Sequence, residues 1–269
     1  MTSILIGWFG DIVGRPGRDA IAHAAPRLRD AGADILIANA ENARHGRGLH
    51  PTGFDEIRAA GIDAITLGDH TTDDPRLLAL LEDPHHPVAK PINLPMWPSA
   101  KTRVRLEHGG TALHVLTVIG CLFMRIEPAD PFDALDREIE SITRTDPRAL
   151  VLVEIHAEAT SEKIALVWHC RRRWPENVLV AVGSHTHVQT ADPRIVEDHL
   201  AAITDVGMCG GRRGVIGFRI QPSLERFRGI RSTPLDVAEA DVAAEGCLIR
   251  LDTGARRATQ ISPFRIEAP

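Results

Sequence analysis

Tyrosine is absent from this chain, lysine occurs only at Lys90, Lys101 and Lys163, and aromatic residues make up 4% of the sequence. So few rings argue against the extended stacking platforms that bind single-stranded nucleic acid. The four cysteines, Cys121, Cys170, Cys209 and Cys247, stand far apart with no CxxC pair. That spacing argues against a disulfide framework and a thiolate zinc site, and it fits a reducing, cytoplasmic compartment. No apolar run approaches the ~18 residues of a membrane span. The opening MTSILIGWFGD lacks the basic start of a signal peptide and reads as a first strand. Positive charge is not in excess either: the formal net charge is −5, which announces no polyanion partner.

What is present is ordinary globular material. The 269 residues are 43% apolar and 25% charged, enough to bury a full core in a single domain, residues 1–269. Short β-rich runs at 4–9, 35–40 and 64–68 alternate with helical spacing at 17–32, 54–61 and 74–83. Further strands are expected at 113–120, 150–156, 178–184 and 201–207, and helices at 131–143 and near 161–170. Such alternation predicts a parallel sheet covered on both faces. The proline-rich stretch 84–102 reads as a long surface connection. Beyond Gly214, runs such as GVIGFRI and GCLIRLDTG predict antiparallel strands.

The informative residues are those that end strands. Asp11 follows the first strand, Glu41 and Asn42 the second, and Asp69 and His70 the third; later strands deliver His156 and then Ser184-His185-Thr186-His187. In a parallel sheet these carboxyl ends share one edge, where open α/β folds bind ligands. A lone aspartate after a strand is more often a turn former. A His-x-His pair in extended backbone places both rings on one side, as a metal site needs. Together, Asp11, Glu41, Asn42, Asp69, His156, His185 and His187 form an oxygen and nitrogen donor set suited to iron, manganese or zinc. Seven donors fit two ions better than one, and paired ions serve phosphoester hydrolysis. Substrate contacts are expected from loops 43–53 and 207–214.

The motifs GDIVGRPGR (10–18), ANAENA (38–43), TLGDH (66–70), HAEATSEK (156–163), GSHTHVQTAD (183–192) and TDVGM (204–208) resemble the YmdB-like branch of the calcineurin-like metallophosphoesterases. The resemblance implies an α/β sandwich of two mixed sheets flanked by helices. It also implies a 2′,3′-cyclic-nucleotide 2′-phosphodiesterase with a two-metal centre, iron being the expected metal. By that resemblance Asp11, Glu41, Asn42 and His187 would hold one ion. Glu41 as a bridge, Asp69, His156 and His185 would hold the second, and His70 would be the proton donor. Two positions depart from the family pattern: Asp69 stands where an asparagine is usual, and Glu154 where an aspartate is usual. Asp69 adds a third carboxylate, which lowers the charge of the centre by one unit.

The expected partner is a small phosphodiester such as a cyclic nucleotide, with no membrane; RNA is a secondary candidate, through Arg171-Arg172-Arg173 and Arg212-Arg213, and a homo-oligomer is left open. The alternative reading is a metal-bound regulatory or RNA-interacting protein with little turnover.

Overall fold

The computed structural model describes residues 3–230 and 234–269. In chain order the strands and helices are β1 (Ser3–Phe9), β2 (Asp11–Ile12), α1 (Gly14–Asp30), β3 (Ile35–Asn39), α2 (Pro51–Ala59), β4 (Ala64–Thr66) and α3 (Leu77–Glu82). There follow β5 (Arg103–His108), β6 (Thr111–Ile119), α4 (Pro131–Thr145), β7 (Leu150–His156), α5 (Thr160–Arg173) and β8 (Val178–Ser184). The chain ends with β9 (Arg194–Val196), β10 (Leu200–Ile203), β11 (Met208–Gly211), α6 (Ile220–Phe227), β12 (Val242–Asp252) and β13 (Arg257–Glu267).

These strands form two mixed sheets rather than the one parallel sheet that the alternation alone predicts. The first runs β2-β11-β12-β1-β3-β4, with β13 added beside β12; the second runs β5-β6-β7-β8-β10-β9. β1, β3 and β4 are mutually parallel, as are β6, β7, β8 and β10. Strands covered on both faces read as continuous apolar runs, and all seven residues of both β7 (LVLVEIH) and β8 (VLVAVGS) are buried. Ile6, Trp8 and Ile37 of the first sheet pack against Val115, Leu152 and Val180 of the second. Outside, α1, α2 and α3 cover the first sheet around Ile21, Phe54 and Leu77. α4 and α5 cover the second around Leu135, Ile139 and Leu166. Helix starts follow local chemistry: Asp130 accepts the Phe132 and Asp133 N–H groups, and Pro131 opens α4.

Two expectations fail. GVIGFRI is not a strand: Val215 and Phe218 make only an isolated bridge, and Ile220–Phe227 coil into α6. β-branched composition misleads there because the segment bends over the sheet ends instead of joining a sheet. The 84–102 stretch is not a surface connection throughout, since Val88, Ala89, Lys90, Asn93 and Leu94 are buried. Asn93 explains this, because its side chain exchanges hydrogen bonds with the backbone of Ile119 and so replaces a sheet partner. Among the described residues no helix is long and apolar enough to cross a membrane. All four cysteines are free.

Close strand approach makes Gly183 irreplaceable. A Cβ there would fall on the Thr204 carbonyl oxygen beyond β10, and Gly183 also accepts the Val206 N–H at 2.9 Å. Gly183→Ala is expected to destabilise the protein by about 1–3 kcal/mol, the usual cost of overpacking, as read by the midpoint of urea unfolding.

Candidate metal centre

The carboxyl ends of β1, β3 and β4 in one sheet meet those of β7 and β8 in the other, so the site lies where two sheets join. Glu41, Asp69, His156 and His185 each present one donor atom there, all within 4.8 Å of one another. His156 Nε2 lies 3.2 Å from Glu41 Oε1 and 3.0 Å from Asp69 Oδ1. His185 Nδ1 lies 3.3 Å from the same Asp69 oxygen and 3.1 Å from His156 Nε2. Beside this group, Asn42 Nδ2 is 3.0 Å from Glu41 Oε1 and 3.2 Å from His187 Nε2. Asp11 is fully buried; one oxygen accepts the His185 N–H at 3.1 Å and the other, Oδ1, has no hydrogen-bond partner. His70 stands at the rim with Nδ1 3.0 Å from Asp73 Oδ2. All eight residues singled out from the sequence are thus gathered at one place.

Hydrogen bonds on the outer sides of the rings decide which ring nitrogens face inward as lone pairs. His187 Nδ1 faces the Ile216 carbonyl at 3.0 Å, which can only accept, so Nδ1 carries the proton. His185 Nε2 faces the Glu158 carboxylate at 3.2 Å. His156 Nδ1 lies 2.8 Å from Ser184 Oγ, whose own proton goes to Glu154 at 2.6 Å. Each ring therefore spends its outer N–H and turns the other nitrogen inward, His156 and His185 toward the carboxylates and His187 toward Asn42, the arrangement that orients metal-bound histidines. The charge balance agrees. Burial opposes ionisation of Asp69, but hydrogen bonds from His156 and His185 outweigh it and hold its carboxyl well below the usual range. Burial likewise opposes the His156 cation, yet the Glu41 charge and the hydrogen bonds to Asp69 and Glu41 drive its pKa well upward, so that its inner nitrogen takes up either a proton or a metal ion. Burial pushes Asp11 up. The cluster calls for positive charge at its centre, and the donor set fits a metal ion.

Gly68 leaves the room for that centre. A Cβ there would run into Glu41 Oε2 and His156 Nε2. Glu41 itself is fixed by two backbone contacts: its N–H donates to Asn39 Oδ1 at 2.9 Å, and its Oε2 accepts the His70 N–H at 3.0 Å.

The His185-Thr186-His187 segment corrects one expectation. It is not extended backbone; φ is 93° at His185 and 61° at His187. The left-handed turn sends one ring to Asp69 and the other to Asn42. Such conformations cost about 1–3 kcal/mol each and persist only when the surroundings over-determine them. Asp205 does this: Oδ2 accepts the Thr186 N–H at 3.0 Å and its hydroxyl at 2.7 Å, and pairs with buried Lys163 at 2.8 Å. Sequence reasoning gives no role to Ser184, Glu158, Asp73 or this Lys163–Asp205 pair. Asp73 had a signal, the aspartate three residues after His70 in a short turn. Glu154, two residues before His156, reaches that ring through Ser184.

Above the cluster opens a cavity of about 460 Å³. Gly46 and Arg47 of the expected 43–53 loop line it. The other wall is not 207–214, because 208–211 is consumed as β11; it is formed by residues between Val215 and Leu235.

A buried carboxylate–imidazole cluster at the joined ends of two sheets can hold a metal ion, and comparisons with known proteins give the class, a hydrolase acting on phosphoric esters. The chain belongs to the YmdB-like protein family, whose profile matches residues 8–264. It is 35% identical over 261 residues to the 2′,3′-cyclic-nucleotide 2′-phosphodiesterase of Bacillus subtilis, covering 96% of both chains. Its fold is similar to that of a phosphatase from Mycoplasma pneumoniae (TM-score 0.89, 29% identity, 99% of this chain and 94% of that one). A hypothetical protein from Thermus thermophilus is similar too (TM-score 0.87, 36% identity, 99% and 100%).

Ser184→Ala is expected to leave the fold intact and weaken metal binding about 10–100-fold, the usual effect of losing a ligand's supporting hydrogen bond, as read by metal titration. Asp205→Ala strands the Lys163 ammonium and is expected to cost about 3–5 kcal/mol of stability, as read by denaturant unfolding.

Proposed function

We propose that this protein is a two-metal phosphodiesterase that hydrolyses 2′,3′-cyclic nucleotides or closely related diesters. The observation that carries the reading is the inward lone-pair set, in which Glu41 lies between two donor groups. Glu41, Asp69, His156 and His185 would hold one ion; Asp11, Glu41, Asn42 and His187 would hold the other, with Glu41 as the bridge. The orphaned Asp11 Oδ1 supports the second site. Iron is the metal we favour, with manganese or zinc as alternatives, since the donors are oxygen and nitrogen without thiolate. When bound, such a pair supplies a nucleophile at neutral pH and neutralises charge on the phosphoryl oxygens.

The protein's own part is positioning and proton transfer. A bridging carboxylate reduces the repulsion between two close cations. Asp69 adds a further negative charge and favours a trivalent ion in its site. His70 is free for a different task. Asp73 fixes its Nδ1, and Asp73 is itself held by Arg47 Nε at 2.8 Å. That leaves Nε2 to protonate the departing ribose oxygen, a transfer suited to imidazole near neutral pH. The three free buried cysteines suit a reducing compartment, and we place the enzyme in the cytoplasm.

Metal analysis of the purified protein beside hydrolysis of 2′,3′-cyclic AMP and bis(p-nitrophenyl) phosphate tests the reading. Two ions per chain and turnover of both esters are expected; one ion under metal-replete conditions removes the two-metal mechanism, and metal without turnover favours a regulatory protein. Glu41→Ala is expected to empty both sites. His70→Ala is expected to keep the metal and lose about 10²–10⁴-fold in turnover, with a smaller loss on p-nitrophenolate esters, whose leaving group needs little protonation. Equal losses on good and poor leaving groups would exclude proton donation by His70.

A further inference from the structure

The cavity above the cluster has two unlike walls. One is the polar floor of Glu41, His70, His185 and His187, where the phosphodiester reacts. The other is largely apolar, with Val215, Ile216, Phe218, Phe227 and Leu235, and it also carries Ser223 and Arg226. Phosphoryl transfer uses none of these side chains, and a small diester would leave that wall untouched.

The aromatic residues on it are unusual in this chain. The whole sequence has seven phenylalanines, four tryptophans and no tyrosine, yet two of those rings line this cavity. Phe227, at the end of α6, is 82% exposed, and leaving a large apolar side chain in water forfeits the gain that burial would bring. Phe218 is held more firmly. Gly46 has φ 84°, and the place its Cβ would take is filled by the Phe218 ring, so loop 43–48 passes directly against that ring. Arg125 lines the same cavity and makes no hydrogen bond or ion pair among the described residues. The segment carrying it is anchored, because Glu162 accepts the N–H groups of Cys121 at 2.8 Å and Leu122 at 3.2 Å. An exposed ring, a pinned ring and an uncommitted guanidinium around one cavity match the parts of a nucleotide, a flat base beside anionic phosphate. At about 460 Å³ the space lies within the range of organic-ligand sites.

We infer that Phe227, supported by Phe218, is a stacking platform for the base of a nucleotide substrate, and that this wall makes the enzyme selective for base-bearing diesters. The inference rests on the phosphodiesterase reading above. A second copy of the chain is a poor occupant for Phe227, since covering a ring that lines the catalytic cavity would shut the substrate out.

Steady-state kinetics on the metal-loaded full chain test it, with 2′,3′-cyclic AMP and the base-free methyl riboside 2′,3′-cyclic phosphate as paired substrates. Phe227→Ala is expected to raise KM for cyclic AMP about tenfold, within the range lost with one base–aromatic stack. It is expected to leave kcat within about twofold and KM for the base-free ester unchanged. Phe227→Trp is expected to restore KM. Arg125→Ala is expected to raise KM for both esters alike, because both carry the phosphate. Equal KM changes on both esters with Phe227→Ala, no change on either, or a change only in oligomeric state by light scattering would overturn the platform. Failure of the wild type to hydrolyse either ester would instead remove the phosphodiesterase reading, and the platform with it.

Discussion

One buried carboxylate joins the two halves of this structure. Glu154, on β7 of the second sheet, accepts hydrogen bonds from Asn39 Nδ2 at 2.6 Å and Thr66 Oγ1 at 2.5 Å, both in the first sheet, and from Ser184 Oγ on β8. It is wholly buried, and burial pushes its pKa up. A carboxylate in such a place is tolerable only when its oxygens are fully bonded. Three donors from three strands meet that condition, and meeting it fixes the separation of the sheets directly beneath the ligand cluster. The same Asn39 positions Glu41, and the same Ser184 orients His156. The geometry of the Glu41–His156 cluster therefore follows from how one anion is satisfied.

Electrostatics then divides the site by task. Carboxylates and inward lone pairs crowd the floor, which is stable only around positive charge. The rim is built otherwise, with Arg47 holding Asp73 and Asp73 holding the His70 ring, while the His70 backbone N–H ties the rim to Glu41. The remaining wall is largely apolar and carries the single charge of Arg226. Floor, rim and wall come from different parts of the chain and are joined where the Ile216 carbonyl meets His187 and where Phe218 packs against Gly46. Arg171, Arg172 and Arg173, a candidate basic patch in the sequence, are engaged by Glu197, Asp136 and Glu140.

Much of the site was legible because its residues follow strands, and strand ends are easy to find in buried apolar runs. Asp11, Glu41, Asp69 and His156 needed no more than that. The two-sheet arrangement was not legible from periodicity, since parallel pairs look alike whichever sheet they join; it came only with the family resemblance. The histidine pair was found for an incomplete reason, as alternation of faces says nothing about left-handed backbone. Ser184 and Asp73 carry short side chains whose roles depend on partners 28 and 3 residues away, and a hydroxyl after a strand has no signature of its own. The segment 214–220 was misread because β-branched residues serve a cavity wall as readily as a sheet.

The first turn of helix α5 holds Glu162 and Lys163, neighbours that brace two different segments. Glu162 ties down the backbone that leads to Arg125, and Lys163 braces Asp205 under the turn bearing His185 and His187. Adjacent residues on one rigid element cannot move independently, so the first turn of α5 acts as a common foundation. Any displacement of that turn moves the backbone leading to Arg125 and the His185–His187 turn together. Transplanting the 120–130 segment from a relative to alter selectivity would thus carry the helix start with it as an obligatory part of the graft.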